Sequence, residues 1–198
     1  MGDPKAYQLK ITLEGIRPQI WRRIQIPGYW SFRSLHNAIQ DAMGWRNCHN
    51  YYFQAWNHKE DKKYTIDPFD NIFEGIADNN ALIRDYFAKP KDKAYYEYDM
   101  GDSWAHVITL EKIVPEHKQK KYPICLDGKR ACPPENAGGI DQYKYIVKVM
   151  KDRKHAEYDH YKSWIQMTTG SRNFRPEHFN PKTAFKNWKC VRAWGPAD

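Results

Sequence analysis

Apolar and polar positions alternate cleanly at the start of the chain. Residues 6–13 (AYQLKITL) place Tyr7, Leu9, Ile11 and Leu13 on one side, which predicts a half-buried strand. Gly15 to Pro18 reads as a turn, and residues 19–26 (QIWRRIQI) as a second strand paired antiparallel to the first. In that strand Ile20, Ile24 and Ile26 share a face and Trp21 takes the other. After Pro27-Gly28 the period changes. Ser31 suits a helix cap, Leu35, Ile39, Ala42 and Met43 recur at helical spacing over 32–43, and Gly44 fits the stop position.

Residues 50–56 (NYYFQAW), 63–66, 94–98 (AYYEY) and 104–113 (WAHVITLEKI) read as further strands. Between them, Asp67 to Asn71 is turn chemistry, Asn80 to Phe87 suggests a short helix, and Lys89 to Lys93 a polar loop. Residues 115–139 read as a long irregular loop carrying Pro115, Pro123, Pro133 and Pro134. Two helices follow, over about 140–152 and 156–168, with Ile140, Tyr143, Val147 and Met150 on one stripe and Tyr158, Tyr161 and Ile165 on the other. Strands first and helices last imply an α+β fold, with a mixed or mainly antiparallel sheet and helices on one face. The division expected is one domain over 1–170 and a C-terminal extension, 171–198, packed on it and ending in Trp188, Val191 and Trp194.

Composition supports a real core: 41% of the 198 residues are hydrophobic and 15% aromatic. No apolar run reaches the roughly 20 residues of a membrane span. The start, Met1-Gly2-Asp3-Pro4-Lys5, lacks the apolar stretch of a signal peptide, so the expected location is cytoplasmic. In that setting Cys48, Cys125, Cys132 and Cys190 are expected as thiols or metal ligands rather than disulfides. The net charge of +8 is uneven: residues 1–99 carry 14 basic and 13 acidic side chains, residues 100–198 carry 18 and 11. A basic C-terminal half is compatible with nucleic acid or another polyanion, and equally with a solubilising surface.

Three segments in order resemble the plasmid pRiA4b ORF-3-like family. The first runs from Ile20-Trp21-Arg22-Arg23-Ile24 through Leu35-His36 and Gly44-Trp45 to His49. The second is Tyr98-Asp99-Met100-Gly101-Asp102-Ser103-Trp104-Ala105-His106, ending in Leu110-Glu111. The third runs from Cys125 to Gly139 through Asp127-Gly128, Cys132-Pro133-Pro134-Glu135 and Gly138. The match covers roughly residues 6–165, with Met100 where Phe is usual and Asn136 where Asp is usual. The resemblance implies a protein of plasmid or mobile-element type without an assigned reaction. Some members carry a TnpR-type resolvase label, but the nucleophilic serine of a serine recombinase is missing from this N-terminal hairpin.

Several residues could carry chemistry. Asp99, Asp102 and His106 surround a Gly-containing turn, and a carboxylate and an imidazole on one strand face suit a metal or a general base with its partner. The plainer reading makes the aspartates turn-formers and His106 a core histidine. Cys125 and Cys132 could clasp zinc across the Pro-rich loop, with His106, or with Cys48 and His49, as added ligands. Glu135 sits in a rigid turn before a helix and could bind or catalyse. Arg22, Arg23, Lys118, Lys120, Lys121, Lys129 and Arg130 are the candidates for contact with nucleic acid. The functional expectation is thus a module that binds nucleic acid or protein. The alternative is a metal-dependent hydrolase using the Asp/His/Cys constellation.

Overall fold

The computed structural model describes residues 4–69, 75–117, 119–171 and 174–186. Its frame is one eight-stranded sheet in the order β5-β4-β3-β6-β7-β1-β2-β8. The strands are β1 (Lys5–Leu13), β2 (Ile20–Pro27), β3 (Tyr51–Asn57), β4 (Lys62–Asp67), β5 (Ile76–Ala77), β6 (Lys93–Tyr98), β7 (Trp104–Pro115) and β8 (Ile124–Lys129). Every pairing is antiparallel except β4 with β5.

The period-2 pattern sorts the two faces. Leu9, Ile11 and Leu13 of β1, Phe53 of β3, Tyr96 and Tyr98 of β6, and Trp104, Ile108 and Leu110 of β7 are all buried on one side. Each such aliphatic or aromatic side chain contributes about 1.5–3 kcal/mol by leaving water. Residues between them point the other way and form a polar face. There Glu111 accepts from Arg23 at 2.6 and 2.8 Å and from Gln8 at 2.8 Å, and Glu97 accepts from Tyr95 at 2.6 Å and Tyr52 at 2.9 Å.

The buried face is covered by α1 (Phe32–Met43), α2 (Ile83–Tyr86) and α3 (Gly139–Lys151); α4 (Tyr158–Thr169) packs on α3. Helix α1 begins and ends where its caps predict. The Ser31 hydroxyl accepts from the Ser34 amide at 3.3 Å, and Gly44 closes the helix at φ 89°. Its stripe of Leu35, Ile39, Ala42 and Met43 lies in the core. The chain is therefore α+β, with a mainly antiparallel sheet.

Two stretches depart from the sequence pattern. The segment expected to be an irregular loop contains β8, the edge strand beside β2. Its sequence, ICLDGK, gives no alternation because an edge strand carrying Asp127 and Gly128 has little to bury. The helix expected over Asn80–Phe87 is a single turn, Ile83–Tyr86, with no side-chain cap at Leu82.

Beyond α4 the described part of the C-terminal segment lies against β8. The Ala131 amide donates to the Pro176 carbonyl at 3.0 Å, Arg130 donates twice to Glu177 at 2.8 and 3.0 Å, and Phe179 lies over Arg22. Gly128 makes that approach feasible, since a Cβ there would fall 2.5 Å from the Phe179 ring. Trp188, Cys190, Val191 and Trp194 lie outside the described residues.

Candidate metal centre

The loop leaving α1 is held from below. Buried His36 stacks on Tyr51 with centroids 3.4 Å apart. Its Nε2 is 2.6 Å from the Asn47 Oδ1, and its Nδ1 is 2.8 Å from the Tyr96 hydroxyl. One proton arrangement satisfies both: Nε2 donates to Asn47, and Tyr96 donates to Nδ1. Gln40 completes the set, donating to Tyr96 at 3.0 Å and accepting from the Asn47 amide at 3.0 Å. Burial pushes the His36 pKa down to about 3, so the ring is neutral. This network fixes Asn47 at φ 56° and thereby aims the next two residues, Cys48 and His49.

The second contributor is the Pro-rich turn. Trp45 donates its indole N–H to the Pro133 carbonyl at 2.9 Å, tying the two loops together. Glu135, 6% exposed, then accepts from the Arg46 amide at 2.6 Å and from the Tyr98 hydroxyl at 3.1 Å. Tyr98 in turn accepts from the Cys48 amide at 3.1 Å. A donor atom of each of Cys48, His49 and Glu135 therefore lies within 4.8 Å of the other two. Among the described residues this is the one such group of three.

His49 Nε2 sits 3.4 Å from the Asp99 Oδ2 and 3.8 Å from the Glu135 Oε2, and it makes no hydrogen bond. These separations match the edge of a tetrahedral metal site, about 3.3–3.8 Å for bond lengths of about 2.0–2.3 Å. Desolvation raises the Cys48 pKa, partly offset by the Tyr98 hydroxyl, so the thiol is protonated at neutral pH. A thiolate, an imidazole and a carboxylate together suit zinc or a neighbouring divalent transition metal.

The residues singled out by sequence fall into separate groups. Asp99 does two jobs. Its Oδ1 accepts from the Gly101 and Asp102 amides at 3.0 and 3.2 Å, forming the turn, and its Oδ2 faces His49. Asp102 instead accepts from the Gly138 amide at 3.0 Å and anchors the start of α3. The strand is not regular from Asp102, because Ser103 sits at φ 55° and β7 opens at Trp104. His106 is fully buried between Trp45 and Tyr96, with centroids 5.4 and 5.3 Å away. Burial lowers its pKa to about 3, against a smaller opposing effect of the Trp104 and Tyr96 backbone. It is a neutral core histidine.

Cys125 and Cys132 do not belong to the group of three. Cys125 lies on β8 opposite Ile24, and Cys132 packs its sulfur 3.2 Å from that of Met43. Burial raises both thiols, to about 11 and about 12. Strand pairing and Trp45 hold the Pro-rich loop.

Of the candidate nucleic-acid contacts, Arg22 is 1% exposed and Arg130 is 7% exposed, too deep to meet a duplex backbone. Arg23 is paired with Glu111, and with Asp127 at 3.5 Å. Lys120, Lys121 and Lys129 are exposed, and Lys118 lies outside the described residues. No described helix is long and apolar enough to cross a membrane.

Sequence reasoning joined Cys48 and His49 only to Cys125 and Cys132 and did not bring them together with Asp99 and Glu135, and it missed Tyr98 as a hydrogen-bond partner of both Cys48 and Glu135. The signal was present in Tyr98-Asp99, where strand alternation points Tyr98 into the core just before the turn.

Known proteins are similar to most of this chain. The uncharacterized protein y4hQ of Sinorhizobium fredii is 28% identical over 164 residues, which is 79% of each chain. The crystal structure of a protein of unknown function, MM3350 from Methanosarcina mazei Go1, superposes with a TM-score of 0.80 at 39% identity, covering 91% of this chain and 98% of that one. The family model described as plasmid pRiA4b ORF-3-like protein matches residues 5–183, reaching past α4 through the segment that lies against β8. The chain belongs to the plasmid pRiA4b ORF-3-like family.

Proposed function

We propose that this protein is a metal-binding module whose centre is formed by Cys48, His49 and Glu135, with Asp99 beside it. One observation carries the reading. His49 Nε2 is without a hydrogen bond yet stands 3.4 and 3.8 Å from two carboxylate oxygens, with the Cys48 thiol within reach. An unpaired buried polar atom costs free energy, and a bound cation would remove that cost.

Three protein donors leave a further position for Asp99 or an outside molecule. Tyr98 and the Arg46 amide hold Glu135 as outer-shell partners hold metal ligands generally. Cys48 is on the exposed side, which gives an ion a way in. The competing reading is a plain ion pair between His49 and the two carboxylates.

Cobalt(II) titration separates the two readings. Metal binding predicts a thiolate-to-cobalt absorption band in the wild type that disappears in Cys48→Ser. An ion pair alone predicts identical, featureless spectra for both.

A further inference from the structure

A cleft of about 550 Å³ opens between the Cys132–Glu135 turn, the end of α4 and the C-terminal segment. Arg22, Arg46 and Arg175 line it, as do the two carboxylate residues Asp41 and Glu135. Arg22 is its unusual feature. It occupies a core-facing position of β2 between Ile20 and Ile24, where an aliphatic residue would be expected.

Among the described residues the partners of Arg22 are all neutral. Its Nε donates to the Ala42 carbonyl at 2.8 Å, and its Nη1 donates to those of Trp21 and Lys129 at 2.8 and 3.0 Å. The Phe179 ring lies 3.6 Å from the guanidinium carbon. Among the described residues Nη2 makes no hydrogen bond, and no carboxylate pairs with the side chain. A buried guanidinium with no counter-charge among the described residues is costly, and a bound anion would offset that cost. The two acids of the cleft do not supply the counter-charge. Asp41 already has a partner, and Glu135 accepts from the Arg46 backbone amide and the Tyr98 hydroxyl.

We propose that this cleft binds a small molecule carrying a phosphate or carboxylate group, with Arg22 as the buried anchor and Arg46 and Arg175 at the rim. Its volume fits a small organic ligand. The planar fork of arginine suits both oxyanions, and Phe179 fixes that fork in place. Arg22 is too deep for the phosphates of a duplex, so the ligand is a free small molecule. The site is separate from the proposed metal centre, although Glu135 borders both.

The test is thermal unfolding of the full chain with inorganic phosphate, acetate or AMP, at ionic strength held constant with chloride. The expected result is a saturable rise in melting temperature with at least one of the three, beyond the chloride control. Apparent affinity should fall about tenfold or more in Arg22→Gln. Arg46→Ala and Arg175→Ala, both altered at the rim, should weaken it as well, and they carry the test if Arg22→Gln does not fold. The strongest of the three probes identifies the chemical class. The response should persist in Cys48→Ser. Shifts no larger than those of chloride would overturn the proposal. So would a response undiminished in the arginine variants, or one abolished by Cys48→Ser, which would place the anion on the metal.

Discussion

Tyr98 donates its hydroxyl to Glu135 at 3.1 Å across 37 residues of chain, and the same oxygen accepts the Cys48 amide at 3.1 Å. One phenol on β6 thus positions two of the three donors from loops distant in sequence. Tyr98→Phe removes the hydroxyl and leaves the ring in the core. It should cost about 1–2 kcal/mol by urea denaturation, since a buried carboxylate and an amide both lose a partner. In the same variant, metal affinity measured by competition with a chelator should fall about 10–100-fold. An unchanged metal affinity would separate Tyr98 from the centre.

Metal binding should depend on pH in a definite direction. Burial raises the Cys48 thiol above its ordinary value, and only the thiolate ligates. Binding near neutrality therefore expels a proton, and affinity should climb as pH rises. Calorimetry in two buffers of different ionisation enthalpy would detect the released proton. Cys48→Ser should abolish it.

Acid stability follows from two neutral histidines. His36 and His106 both have pKa values lowered to about 3 from an ordinary value near 6.5. Between these limits the unfolded chain binds more protons than the folded one, so stability rises with pH. The contribution is complete above about pH 6.5 and is lost progressively as pH falls toward 3. His106→Leu should flatten part of that limb and change stability at neutral pH by less than about 1.5 kcal/mol, because it replaces a buried polar ring with an apolar side chain. Melting temperatures between pH 4 and 8 are the check. An unaltered slope would mean that His106 does not titrate on unfolding.

Gly139 opens α3 at φ +80°, and a Cβ there would meet the Asp102 carbonyl oxygen at 3.0 Å. Gly139→Ala should cost about 1–3 kcal/mol through strain and crowding. Gly139 lies four residues after Glu135, so metal affinity should drop along with stability. A fully stable variant would show that the backbone relaxes there freely.

Much of the frame was legible in the sequence because burial on one face imposes period 2 on strands such as β1. Ser31 and Gly44 likewise mark the ends of α1 by chemistry that does not depend on the rest of the fold. β8 was not legible, because an edge strand with Asp127 and Gly128 carries no alternating signal. The candidate centre was half legible. Cys48, His49, Asp99 and Glu135 each drew attention, but their meeting depends on β3 pairing with β6 and on Trp45 reaching Pro133. Local pattern contains neither fact. It also offered Cys125 with Cys132 as one possible pair; in the fold β8 carries the first and the second packs on Met43. Arg22 shows the same limit: alternation puts it on the core face, but nothing local tells that its described partners are backbone carbonyls and an aromatic ring.

The most direct test of the metal centre is metal content, by mass spectrometry, of untagged protein purified without chelator, for the wild type, Cys48→Ser and Glu135→Gln. The account predicts about one zinc or similar transition-metal ion per chain in the wild type and a large loss in both variants. Wild-type protein that purifies metal-free and stays so after dialysis against zinc would contradict it, leaving His49 as the partner of Asp99 and Glu135 in an ordinary ion pair.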